Sequence, residues 1–158
     1  MIANPPLLEI KNLHVQFKVY GGRLRVLDGV NFVMHAGERV GLVGETGCGK
    51  TTTMKAILRV LPMPPAQIPN GQIMFEGRDV LRLNSSELQQ VRGRGISMIF
   101  QDPTAALNPV FTVGQQLEAV IRASMGRQEL SETSVQNRSL AALEEVALAD
   151  PARLLRAY

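Results

Sequence analysis

Aromatic side chains are scarce in this chain, 4% of 158 residues with no tryptophan, and there is one cysteine, Cys48. The scarcity of aromatics argues against the basic-plus-aromatic surface that stacks single-stranded nucleic acid, so no nucleic-acid partner is expected. A lone cysteine allows no internal disulfide, which fits a reducing compartment. No run of 18 apolar residues occurs, so no membrane-spanning helix is expected. The opening MIANPPLLEI has no basic segment followed by an apolar stretch, and does not read as a secretory signal. Neither sign of charge dominates: the net charge is +3, and Arg92-Gly93-Arg94 reads as a solvated turn. The remaining composition, 45% hydrophobic and 20% charged, is that of an ordinary globular domain long enough to bury a core.

Against these absences stands one strong motif. Residues 44–51 read GETGCGKT: Gly44, four residues, then Gly49-Lys50-Thr51. This spacing is that of a loop that binds the phosphates of a nucleoside triphosphate together with magnesium. A hydrated polyanion must exchange water for fixed donors. Backbone amides of a tight loop supply them only where no Cβ blocks the approach, hence Gly44, Gly47 and Gly49. Glu45, Thr46 and Cys48 complete the loop. The helix expected to open at Gly49-Lys50 adds unpaired amides and the positive end of its dipole. Lys50 places a point charge between the β- and γ-phosphates. Thr51 is the expected magnesium ligand, and Thr52 a donor to the α-phosphate. Glu38 to Val43 reads as a strand and Thr51 to Leu61 as a helix stopped by Pro62, the order that the motif requires.

Around the loop, Leu7 to Phe17 alternates as a half-buried strand, Gly21-Gly22 marks a hairpin turn, and Arg25 to His35 is strand-like. Pro62 to Asn70, with four prolines, reads as a loop, Gly71 to Gly77 as a short strand and Gly95 to Phe100 as a buried strand. Asn84 with Glu87, Thr112 with Gln115, and Thr133 with Gln136 have the spacing of reciprocal caps at helix starts. Leu140, Leu143, Val146 and Ala147 recur at helical spacing, and Pro151 starts a last short helix. The order is strands, glycine loop and helix, mixed strands, then helices only, so the expected fold is α/β with a helical part after the core. The nucleotide-binding core covers residues 1–102, and the helical part covers 103–158, beginning near Thr104.

The phosphate loop, followed about 50 residues later by MIFQDPTAALNPVFTVGQQL, resembles the ATPases of ATP-binding cassette (ABC) transporters. The wording is most similar to their dipeptide, oligopeptide and nickel importer branch. LRVLP, GQIMFEGRDV and the closing ADPARLLRAY fit the same branch, so the resemblance spans essentially the whole chain. It implies a P-loop NTPase (RecA-like) partial core with an antiparallel β N-terminal subdomain and the start of the α-helical subdomain. It implies ATP and Mg2+ as cofactors, with Gln101 contacting magnesium and the attacking water. It implies an aromatic stacked on adenine: Phe17, 33 residues before Lys50, matches that position, with Tyr20 as the fallback. For Phe17, core packing at a strand end is the competing reading. The implied partners are a second ATPase subunit, transmembrane permease subunits and, indirectly, a substrate-binding protein, at the cytoplasmic face of the membrane. Cys48 stands where the family more often has serine. A thiol at a helix N-terminus tends to be reactive, so its alkylation should be slower with MgATP bound.

Other parts of such an ATPase have no counterpart here. No LSGGQ-type signature is found, and no apolar strand ends in Asp-Glu to hold magnesium and supply a base. Leu148-Ala149-Asp150-Pro151 is rejected for that role, because Val146 to Leu148 continue a helical pattern and proline follows. His14 and His35 both precede the loop, so neither is the switch histidine. The expectation is therefore the N-terminal part of a longer subunit, with several central strands lacking, apolar surface exposed, and MgATP bound without turnover. Two competing readings remain: a soluble non-transport ABC-type ATPase, and a regulatory module that binds nucleotide without hydrolysing it.

Overall fold

The computed structural model describes residues 5–102, 106–125 and 131–158. It divides into two compact units, one running through Leu88 and the other from Gln89 onward. The expected start of the helical part near Thr104 falls on residues 103–105, outside the described ones.

The first unit is built on an antiparallel sheet of four strands: β1 (Leu8–Val19), β2 (Gly22–Met34), β3 (Ala66–Phe75) and the two-residue β4 (Arg78–Asp79), in the order β2-β1-β3-β4. The hairpin between β1 and β2 turns at Tyr20-Gly21, as the glycine pair suggests. Leu8, Ile10, Leu13 and Val15 are all buried although their spacing changes parity in the middle. A strand of uniform pleat would turn Leu13 and Val15 to the other face. The register shifts between Ile10 and Leu13, and Asn12 there takes a φ of 46°. The Asn12 amide donates to Asn31 Oδ1 at 2.9 Å, which fixes this bulge across the strand pair. Ile73, Phe75 and Val80 complete this apolar layer, and Ala56, Ile57 and Leu61 are buried as well.

Three expectations in this unit are corrected. β3 begins at Ala66, inside the proline-rich segment, and not at Gly71. Pro69 is accommodated because it lies where the β1–β3 register shifts, between the pairs Gln16–Gln67 and His14–Asn70. The helix after the glycine loop, α1 (Lys50–Ile57), ends well before Pro62. Arg59 follows with a φ of 51°, and its guanidinium donates to Leu83 O at 2.8 Å. Glu38 to Val43 forms no strand: no ladder among the described residues includes it, and Val40, Leu42 and Val43 are exposed. An apolar run becomes a strand only beside another strand that takes its amides and carbonyls.

Asn84 caps α2 (Ser85–Gln90) as expected, with Glu87 N donating to Asn84 Oδ1 and Asn84 N to Glu87 Oε2, both at 3.0 Å. In the second unit, α3 (Val113–Met125) opens on the expected Thr112–Gln115 box, and α4 (Glu132–Glu145) packs against it. The cap of α4 is Ser131, whose hydroxyl accepts from Ser134 N at 3.2 Å, in place of the expected Thr133. The buried stripe of α4 is correspondingly Val135, Ser139 and Leu143, while Val146 and Ala147 lie past the helix end and are exposed. α5 (Pro151–Leu154) is capped by Asp150, whose Oδ1 accepts from Arg153 N, so Asp150 serves a helix start rather than a strand end. Gly114 lies against the chain after α5: its amide donates to Leu155 O at 2.9 Å. Gly95 closes a π-helical turn over Val91–Gly95, where Ile96 N donates to Val91 O at 2.8 Å, and residues 96–100 join no ladder among the described residues, with Ile99 and Phe100 exposed. Arg94 does more than sit in water, since its Nε donates to Ser124 O near the C-terminal end of α3.

Candidate phosphate-binding site

Residues 44–48 form an exposed loop that leads into α1, and Gly49 is the buried residue at the junction. Gly49 occupies the left-handed region with a φ of 98°. A Cβ there would lie 2.6 Å from Leu27 Cδ2 and 3.1 Å from Val26 O of β2. Gly49 thus seats the loop on the sheet as well as permitting the turn. Thr53 secures the same point from the helix side, with its Oγ1 donating to Gly49 O at 3.0 Å. The pattern of residue types had singled out neither Val26, Leu27 nor Thr53. The burial parity of β2 signals Leu27, but within Thr51-Thr52-Thr53 nothing marks the third threonine.

Lys50 folds back into the loop. Its Nζ donates to Gly44 O at 2.7 Å and Glu45 O at 2.6 Å, and lies 3.4 Å from Cys48 Sγ. A Cβ on Gly44 would meet Cys48 Sγ at 2.7 Å, so the sulfur occupies the space that a side chain at 44 would fill. Cys48 itself is exposed. Glu45 and Thr46 are exposed on the loop, Thr51 is exposed on the first turn of α1, and Thr52 is half-buried. The N-terminus of α1 has no side-chain cap and no carboxylate in its first turn. Amides, a cation and a hydroxyl therefore meet there with no carboxylate in the first turn of the helix, a donor set that fits a phosphate.

Phe17 follows from the strand register. It pairs with Leu24 and Ala66, and shares the face of β1 that carries Leu13 and Val15. Val15 pairs with Leu27, the residue that meets Gly49, so Phe17 lies one pleat further toward the hairpin on the side where the loop is seated. It is half-buried, and Tyr20 is fully exposed at the hairpin tip. Gln101 belongs to the second unit, where it is exposed at a bend after the unpaired residues 96–100. His14 is a half-buried strand residue paired with Asp28, and His35 accompanies Glu38 in a turn. No helix among the described residues is long and apolar enough to cross a membrane.

Residues 27–156 match the ABC transporter family. The oligopeptide transport ATP-binding protein OppD of Bacillus subtilis is 40% identical over 158 residues, covering 100% of this chain and 43% of that protein. The dipeptide transport ATP-binding protein DppD of the same organism is 41% identical over 153 residues, covering 96% of this chain and 44% of that protein. The chain thus spans less than half the length of these curated relatives. Among solved structures, a dimeric ATP-binding cassette in a post-hydrolysis state with ADP and Pi superposes with a TM-score of 0.80 at 23% identity, over 95% of this chain and 60% of that one. The ATP-binding subunit of an ABC transporter superposes with a TM-score of 0.66 at 26% identity, over 96% and 54%. With its family match covering most of its length and its fold shared with ATP-binding cassettes, the chain belongs to the ABC transporter family.

Proposed function

We propose that the chain is the ATP-binding part of a peptide-importer motor subunit. The observation that carries the reading is the receptive helix start: Lys50, the exposed Thr51 hydroxyl and the uncapped amides of α1 meet at a glycine loop seated on the sheet. The loop amides and Lys50 would hold the β- and γ-phosphates, with Thr52 beside the α-phosphate and Phe17 under the adenine. No group of three His, Cys, Asp or Glu that could hold a metal ion occurs among the described residues. Thr51 would hold magnesium, and Gln101 is given a contact to it by the family resemblance alone. When bound, the cation supplies charge neutralisation for phosphoryl transfer to water. The relatives named for oligopeptide and dipeptide transport support peptides as the solute class. A second ATPase subunit, the permease subunits and a substrate-binding protein would be the partners, at the cytoplasmic face of the membrane.

Binding without turnover is the part open to direct measurement. Titration calorimetry with MgATP should give binding that Lys50→Ala weakens at least about tenfold, a loss of roughly 1.4 kcal/mol. Alkylation of Cys48 should slow when MgATP is present, and the 158-residue chain should release no phosphate. Equal affinity in Lys50→Ala would remove the loop as the site. Phosphate release abolished by Lys50→Ala would sink the claim that the chain alone does not hydrolyse ATP.

A further inference from the structure

The sheet has a second chemical face. Along β1, His14, Gln16 and Lys18 alternate with the buried Leu13 and Val15, and so point away from the side that seats the phosphate loop. The register places Arg25 opposite Gln16 and Arg23 opposite Lys18 on β2, and Asn70 and Gln67 opposite His14 and Gln16 on β3. Lys18, Arg23 and Arg25 are exposed, and no carboxylate pairs with any of them among the described residues. Lys18 and Arg23 are directly opposed across the strands, where like charges destabilise a hairpin.

A cavity of about 340 Å3 adjoins this row, lined among others by Arg25, His14, Gln16, Asp28 and Asn70, together with Val15 and Leu27 of the buried side. Its one carboxylate, Asp28, lies with Oδ1 3.0 Å from His14 Nδ1 and so has a partner already. The Gln16 carboxamide is held in place by its 3.0 Å bond to Gln67 Oε1. Arg25 belongs both to the cavity wall and to the cation row. Its planar fork suits a tetrahedral oxyanion, with Lys18 and Arg23 in line to take further charge.

From the unpaired cation row and the adjoining cavity we propose that this outer face of the β1–β2 hairpin binds a phosphate-bearing anion, at a site distinct from the glycine loop. The phosphate is gripped by Arg25, Lys18 and Arg23, and the polar body of the ligand enters the cavity between His14, Gln16 and Asn70. A soluble phosphorylated molecule and the headgroup of an anionic lipid share this chemistry.

The test uses the Lys50→Ala chain, so that the glycine loop does not contribute. One arm measures inorganic pyrophosphate by titration calorimetry. The other measures cosedimentation with phosphatidylcholine vesicles with and without phosphatidylserine. At least one arm should give binding that weakens with added salt and falls at least tenfold in the triple variant Lys18→Gln, Arg23→Gln, Arg25→Gln. Binding in the pyrophosphate arm assigns a soluble ligand, and binding in the phosphatidylserine arm alone assigns a headgroup. Removing an opposed cation pair should leave the unfolding midpoint unchanged or higher. If the triple variant does not fold, Arg25→Gln alone is measured, with at least a threefold loss expected. No binding in either arm, or binding indifferent to these substitutions, overturns the proposal.

Discussion

At the scale of single residues, the glycines of the loop serve different ends, and substitution separates them. Gly47 has a φ of 89° but open space around its absent side chain, whereas Gly49 combines a φ of 98° with Leu27 and the carbonyl of Val26 at its back. An alanine at 47 meets only backbone strain, of the order of 1–3 kcal/mol. An alanine at 49 meets that strain and must also displace buried Leu27 or the strand itself, adding about 1–3 kcal/mol of overpacking. Urea unfolding should therefore show Gly49→Ala to be the more destabilising of the two by more than about 1 kcal/mol. Equal losses would mean that the loop is not seated on β2 in the way described. The motif spacing made the loop and its helix legible, because both are local. The support under Gly49 was not legible, because it comes from a strand more than twenty residues earlier and depends on that strand's parity.

At the scale of elements, Gly114 shows tertiary packing reversing a helix preference. Alanine inside a helix is favoured over glycine by about 1 kcal/mol. At 114, however, a Cβ would lie 2.7 Å from the backbone oxygen of Leu155, which also accepts the Gly114 amide at 2.9 Å. Gly114→Ala should consequently destabilise the helical unit by about 1–3 kcal/mol and lower its thermal midpoint. A rise in the midpoint would show that the chain after α5 yields without cost. The same contrast explains which elements could be read in advance. The boxes at Asn84–Glu87 and Thr112–Gln115 were legible because both partners lie within one turn. The Thr133–Gln136 spacing misled, because Ser131 makes the same kind of cap two residues earlier. The bulge at Asn12 depends on Asn31 of another strand, and the course of β3 past Pro69 on a shifted register, so neither is written in local spacing. Residues 38–43 and 96–100 have strand composition but lack the ladder that composition cannot supply.

At the scale of the whole molecule, the sheet that forms is the antiparallel one, and the apolar run leading to the phosphate loop stays outside it. Val40, Leu42 and Val43 are apolar on both faces of an extended segment, as in a parallel strand covered on both sides, yet they are exposed. Backbone amides without a ladder exchange with solvent at nearly unstructured rates, whereas those of a buried sheet exchange only through larger openings. Hydrogen exchange on the chain should thus find the amides of 39–43 protected by less than about tenfold, and those of Leu13 and Val15 by more than about a thousandfold. Saturating MgATP adds stability only where it binds the folded form, by about 2.7 kcal/mol at a hundredfold excess over Kd. Its protection should accordingly concentrate on residues 44–52 and leave 39–43 fast, because a ligand on the loop provides no strand beside Val40 and Leu42. Strong protection of 39–43 before nucleotide is added would contradict the unpaired segment. Protection that appears there only with MgATP would mean that the loop and the run before it order together, and that nucleotide, rather than a neighbouring strand, is what holds them.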